Sequence, residues 1–173
     1  IRAARGRLLF TLGSRDEARR DLAEARRGFE RAGDTASLAR VLNDLAIDLL
    51  QSGRLAEGER LLEEALAAGR AAGFGGAGVI TSNLALVALE RGFPDRAERR
   101  FREAIAAFEA SRSRKLGWAR ACRALALVDL GRRDEAESEL AAAIALLTEA
   151  DVENQLAHAL WIRGAGELGK ADL

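Results

Sequence analysis

Five dipeptides ending in glycine recur along this chain: Leu12-Gly13, Ser52-Gly53, Arg91-Gly92, Leu130-Gly131 and Leu168-Gly169. The glycines lie 40, 39, 39 and 38 residues apart. Five residues after each of the first four comes a small residue: Ala18, Gly58, Ala97 and Ala136. Twelve residues after each comes an alanine: Ala25, Ala65, Ala104 and Ala143. A fixed period of this size marks a repeat protein, whose units bury their apolar faces only against their neighbours. Function in such a chain is expected along an extended surface, not in a pocket built around one reactive group.

The residues after each glycine have a helical period. The sets Ala18, Leu22, Ala25, Phe29, Ala32; Ala97, Phe101, Ala104, Phe108; and Ala136, Leu140, Ala143, Leu147, Ala150 step by fours and threes along one face. Arg19, Arg20, Glu24 and Arg27 fill the opposite, solvated face. Before each glycine lies a second helix, with Leu42, Leu45, Ala46 and Leu49 as its apolar face in the second repeat. Leu84, Ala85 and Ala88, then Ala124 and Leu127, then Trp161, Ile162 and Ala165 follow in later repeats. The unit is helix A, a glycine turn, helix B and a short connection. A helices are expected near 2–12, 35–51, 77–90, 114–129 and 153–167. B helices are expected near 15–32, 54–72, 94–111 and 132–149.

Local signals agree. Ser14 with Glu17 has capping-box spacing, Asp34 and Asp151 suit N-caps, and Gly33 and Gly73 suit left-handed helix ends. Pro94 fits a first helical turn. Tyrosine is absent, and aromatic content is 5%, so strand signals are missing. The expected fold is all-α: one helix-turn-helix repeat solenoid over 1–173, about four and a half repeats. Repeat bounds are 1–33, 34–73, 74–112, 113–150 and a partial 151–173.

The 173 residues carry 27 basic and 27 acidic side chains. That balance argues against general affinity for nucleic acid or anionic membranes. The single cysteine permits no intrachain disulfide. No apolar run approaches the ~20 residues that span a bilayer, and no signal peptide opens the chain. A cytoplasmic location is expected, as is origin as a fragment of a larger protein, since the first residue is Ile1.

The order of small, large and turn residues resembles the tetratricopeptide repeat. Leu45-Ala46, Leu49, Gly53, Leu62 and Ala65 carry the likeness, as do Leu84-Ala85, Ala88, Gly92, Ala97, Phe101 and Ala104. The usual unit has 34 residues; here Leu42 replaces the early tryptophan, and the proline ending helix B is absent. Such extended repeats look like those of large bacterial signal-transduction and transcription regulators. The resemblance implies a right-handed superhelix whose concave face is lined by A helices. Groove positions would be Arg40, Asn43, Ile47 and Leu50; Val79, Ser82, Leu86 and Leu89; Trp118, Ala121, Leu125 and Val128; Leu156, Ala159, Arg163 and Gly166. Asn83 matches an asparagine that adapter members use to hold a peptide backbone. Asp44 and Cys122 interrupt that ladder in the neighbouring repeats. The implied groove is apolar and suits an apolar segment, a helix or a neighbouring domain.

Several chemical signals have plainer readings. Gly73 to Gly78 spells GxGxxG, but a dinucleotide site needs a strand before it; a connection or hinge fits better. Cys122 and His158 on adjacent A helices lack an orienting group and an oxyanion site, and are too few for zinc. No catalytic residue, cofactor or metal is expected. The third B helix is basic (Arg96, Arg99, Arg100, Arg102, then Arg112, Arg114, Lys115), and the fourth is acidic (Asp134, Glu135, Glu137, Glu139, Glu149). These are solvated faces or an electrostatic docking edge. Trp118 and Trp161 serve either as core or as ligand anchors.

The function expected is a non-catalytic scaffold that binds protein or peptide, the interaction or sensor arm of a larger bacterial signalling or transcription-regulatory protein. The alternative is a domain that senses a small effector in the groove. Partners would be a protein or peptide segment or a neighbouring domain of the same chain, with no membrane and no nucleic acid. A second copy could cap the open C-terminal repeat at Trp161 and Ile162.

Overall fold

The computed structural model describes residues 1–73, 75–150, 152–157, 159, 160 and 162. The described residues form helices joined by turns and short connections: α1 (Arg2–Thr11), α2 (Arg15–Ala32), α3 (Thr35–Gln51), α4 (Leu55–Ala71), α5 (Ala77–Glu90), α6 (Pro94–Ala110), α7 (Leu116–Asp129) and α8 (Arg133–Glu149). Residues 153–157 are helical as well. No strand occurs among the described residues. The odd-numbered helices are the A helices and the even-numbered the B helices, with ends within two residues of those expected.

The turn glycines end the A helices as their spacing requires. Gly13, Gly53, Gly92 and Gly131 have φ of +80, +75, +75 and +73. Each turn closes with the same pair of backbone bonds. At Gly53 the N–H donates to the Leu50 carbonyl at 2.9 Å, and the Arg54 N–H to the Leu49 carbonyl at 2.9 Å. The left-handed residue satisfies carbonyls that the helix end would otherwise orphan. Asp34 caps α3, its carboxylate accepting from the Ser37 N–H at 3.0 Å. Ser14 is the N-cap of α2 but makes no side-chain cap bond, so the expected capping box does not form. Asp151 lies outside the described residues.

The chain divides into two compact units, Ile1–Ile80 and Thr81–Leu173. In the first, Leu22, Ala25 and Val41 form a core that Ala3, Phe10, Phe29 and Leu45 cover. Small residues bring the paired helices together. A side-chain carbon added at Gly6 would lie 2.8 Å from Leu22 Cγ, and one at Gly58 2.5 Å from Leu50 Cδ2. Ala32 is exposed, seven residues past Ala25, the last buried residue of α2. Arg19, assigned by its helix face to solvent, instead reaches the next pair, donating from Nε to Asp48 Oδ2 at 2.6 Å.

In the second unit, Ala85, Ala88, Ala97, Phe101, Cys122 and Ala126 form one cluster, and Ala121, Ala124, Leu127, Ala136, Leu140, Ala143, Leu147, Ala159 and Ile162 another. Phe101 is fully buried, a burial that contributes about 1.5–3 kcal/mol. Beside these runs an ionic chain. Arg123 donates to Glu98 at 2.6 Å and to Glu139 at 2.7 Å, and Arg120 joins Glu139 at 2.9 Å to Glu109 at 2.6 Å. Glu98 is only 4% exposed; such a carboxylate is tolerable in the interior because its charge is paired.

Candidate functional site: a trough on the A helices of the first unit

Two adjoining hollows open on the A-helix face of the first unit. One, of ≈310 Å³, is lined by Arg7, Phe10, Thr11, Asp44, Ile47, Asp48 and Gln51. The other, of ≈260 Å³, is lined by Arg7, Arg40, Asn43, Asp44, Gly76, Val79 and Ile80. Arg7 and Asp44 line both, so the hollows form one continuous trough. It owes its residues to α1, α3 and the start of α5. The four-residue step along α3 puts Arg40, Asp44 and Asp48 on one face, and Asn43, Ile47 and Gln51 on the row beside it. Phe10, Ile47 and Val79 are half-buried, whereas Arg7, Thr11, Arg40 and Gln51 stand exposed. The trough therefore has apolar patches in its walls and a polar, open rim.

Its electrostatics centre on α3. Arg7 Nη1 donates to Asp44 Oδ2 at 3.3 Å. Burial pushes the Asp44 carboxyl above its ordinary range, and the hydrogen bonds from Arg7 and Asn43 oppose that rise. Asp48 is buried, paired with Arg19, and Arg15 Nη2 donates to the Gln51 side-chain oxygen at 3.0 Å. No strong acid–base pair or nucleophile arises from this set.

Of the groove positions expected from sequence, Arg40, Asn43, Ile47 and Val79 come together in this trough, while half-buried Leu50 packs at Gly58. The second unit uses its counterparts differently. Leu86, Leu89 and Trp118 cover the Phe101 cluster, and Leu125 covers the Leu140 cluster. Asn83 is half-buried and Ser82 only 6% exposed, which leaves the serine almost no surface to offer a ligand. Ala121 and Ala159 are likewise core residues rather than groove surface, whereas Val128 is 40% exposed. Arg163, Gly166, Trp161 and His158 lie outside the described residues, as does Phe74 of the glycine-rich connection.

Arg7, Phe10, Thr11, Asp48 and Gln51 were not among the groove positions. A signal for two of them existed. Asn43, Ile47 and Leu50 precede Gly53 by ten, six and three residues, and the same offsets from Gly13 give Ala3, Arg7 and Phe10.

The other chemical signals resolve into structure. Cys122 is 1% exposed, and burial pushes its thiol up to about 12, so it carries no reactive thiolate near neutral pH. The GxGxxG stretch follows α4 and leads into α5; among the described residues no strand precedes it. Among the described residues, no three His, Cys, Asp or Glu side chains are placed to hold a metal. No described helix is long and apolar enough to cross a membrane. The basic and acidic helices spend part of their charge internally, Arg102 on Glu98 at 3.6 Å and Glu139 on Arg120 and Arg123.

The sequence model of the tetratricopeptide repeat family matches residues 2–71 and 37–110, more than half of the chain. The chain belongs to the tetratricopeptide repeat family. No curated protein matches its sequence. Among solved structures, this tetratricopeptide repeat chain is similar to aspartyl phosphate phosphatase F from Bacillus subtilis, with 16% identity and a TM-score of 0.88 over 99% of this chain and 45% of that one. It is also similar to the Rap conjugation gene regulator of the plasmid pLS20 in complex with the Phr* peptide, with 19% identity and a TM-score of 0.80 over 91% of this chain and 44% of that one. BtubC (BKLC) from P. vanneervenii shares 19% identity and a TM-score of 0.73 over 96% of this chain and 73% of that one. The chain spans under half the length of the first two. At these identities the likeness is one of fold.

Proposed function

We propose that this tetratricopeptide repeat chain is a non-catalytic module that binds a polypeptide segment along its A helices, as the interaction or sensor arm of a larger bacterial regulatory protein. The observation that carries this reading is the trough shared by α1, α3 and the start of α5. It is open and mixed in character, with Phe10, Ile47 and Val79 beside Asn43, Asp44 and Gln51. An extended segment needs such a surface: apolar patches for alternate side chains and polar groups for its main chain. A small effector is better served by a hollow that closes over most of its surface, and the exposed rim of Arg7, Arg40 and Gln51 does not close. The peptide-bound state of one structural neighbour supports the same reading.

Selection of a displayed random-peptide library against the whole chain tests it. Enriched peptides should bind the wild type and lose about tenfold or more in affinity with Ile47→Glu, which puts a charge on an apolar wall. Enriched peptides that bind the Ile47→Glu protein equally well would place recognition elsewhere and refute the proposal.

A further inference from the structure

The face of α1 turned away from α2 is apolar. Ile1, Ala4, Leu8 and Leu12 step by three and four residues along it, and all are exposed, Leu8 by 59%. Gly6, on the opposite side, meets Leu22 of α2. The repeat register shows what such a face is built for. Ile1 and Leu8 stand twelve and five residues before Gly13. The same offsets from the later turn glycines give Val41, Ile80 and Ala119, then Asp48, Val87 and Ala126, and every one of these is buried. Within each unit a preceding B helix covers them. Val41 packs with Leu22 and Ala25 of α2, and Asp48 accepts from Arg19 of the same helix. Ala126 packs with Ala97 and Phe101 of α6. An outermost helix that faces water needs a polar outer side, whereas α1 presents the stacking surface of an A helix.

Charge specifies the helix that fits. Arg5 stands eight residues before Gly13, as Arg123 does before Gly131. Each reaches a carboxylate on its own B helix, Asp21 at 3.3 Å and Glu139 at 2.7 Å. Arg123 also donates to Glu98 of the preceding B helix at 2.6 Å, and its side chain is 15% exposed. Arg5 has Glu17 of α2, at 3.6 Å, as its second partner, and its side chain is 57% exposed. A second copy of the chain fits poorly, because α1 carries Arg2, Arg5 and Arg7 and no acidic residue, so two such faces would oppose like charges.

We propose that this face of α1 docks an amphipathic helix of a partner protein. That helix presents a small residue, a carboxylate directly after it, then a large apolar and a second small residue, spaced as in Ala97, Glu98, Phe101 and Ala104. Its apolar stripe meets Ile1, Ala4 and Leu8, and its carboxylate meets Arg5. None of these four residues lines the trough, so helix docking and peptide binding in the trough are separable.

The test is a displayed library of helices built on the α6 sequence, Pro94–Ala110, with the position of Glu98 opened to every residue, selected against the whole chain. Enriched helices should carry Glu or Asp at that position. Leu8→Glu and Ala4→Gln, both at exposed sites and checked for unchanged melting curves, should each weaken binding about tenfold. Arg5→Gln should erase the preference for an acid, and Ile47→Glu in the trough should leave helix binding unchanged. Failure of the library to enrich any helix would overturn the inference, as would enriched helices with no acidic preference. Equal binding to wild type, Leu8→Glu and Ala4→Gln would overturn it too, and so would binding lost on Ile47→Glu instead. Self-association of the wild type that Leu8→Glu abolishes, measured by sedimentation, would assign the face to a second copy and overturn it as well.

Discussion

Arg112 holds the place in the third helix pair that Gly33 holds in the first. Each lies 20 residues past its turn glycine, and each has a positive φ, +48 and +67. The bonding is the same. The Asp34 N–H donates to the Phe29 carbonyl at 3.0 Å, and the Ser113 N–H to the Phe108 carbonyl at 2.9 Å. A left-handed conformation costs a residue with a Cβ roughly 1–2 kcal/mol that glycine avoids. Arg112→Gly should therefore raise the unfolding free energy by about 1 kcal/mol, measured by urea denaturation. Arg112→Ala, which keeps the Cβ, should bring no comparable gain; equal gains from both would refute the strain.

Two helical glycines should respond to alanine with opposite signs. Nothing lies within 4 Å of a Cβ built on Gly28 in α2, whereas one on Gly58 in α4 meets Leu50 Cδ2 at 2.5 Å and the Ala46 carbonyl at 3.2 Å. Gly28→Ala gains helix propensity and should stabilise by roughly 0.5–1 kcal/mol. Gly58→Ala must push Leu50 aside or part the helices, at a cost of about 1–3 kcal/mol. Thermal melts of the two variants decide this, and stabilisation by both would contradict the close approach of α3 and α4.

The helix caps make a second contrast. Asp34 accepts a hydrogen bond from the Ser37 N–H and Ser14 makes none. Asp34→Ala should cost about 1 kcal/mol and Ser14→Ala less than roughly 0.5 kcal/mol. Chemical denaturation at neutral pH measures both. Equal losses would mean that Ser14 does cap α2.

The pH dependence follows from Asp44. Burial raises its carboxyl above the ordinary 3.8, more than Arg7 and Asn43 lower it. Between its unfolded and folded pKa the native chain binds more protons, so this group removes stability as pH rises through that window. Asp34, Glu57 and Glu135, held low by hydrogen bonds from Ser37, Arg54 and Arg132, act in the opposite sense and lose their contribution as pH falls. Comparison with Asp44→Asn isolates the first effect. Relative to that variant, the wild type should lose stability as pH rises from below to above the carboxylate range. A difference independent of pH would contradict the desolvation of Asp44.

The repeat was legible because its signals are steric. A left-handed turn selects glycine at Gly13, Gly53, Gly92 and Gly131, and close helix approach selects the alanines that follow. Partnerships between helices were less legible, because the repeats do not conserve polarity at equivalent places. Arg5 and Asp21 flank Gly13 by eight residues on either side and pair at 3.3 Å; Arg123 and Glu139 flank Gly131 in the same way and pair at 2.7 Å. The second pair of helices has Leu45 and Leu61 there, so no ionic period shows in the sequence. Arg19 looked solvated because a single-helix projection does not include Asp48 on the next pair. For the trough, Arg40, Asn43 and Ile47 were readable from register. The role of Asp44 depends on its burial and on Arg7, 37 residues away, and neither follows from periodicity.

The central claim is that recognition runs along the A-helix trough of the first unit. The most direct measurement is a titration of the isotope-labelled chain with a selected peptide, followed by backbone amide NMR. Shifts should concentrate at Arg7, Phe10, Thr11, Asn43, Asp44, Ile47 and Gln51. Shifts concentrated instead at Arg20, Glu24 and Arg27, on the exposed face of α2, would contradict the account.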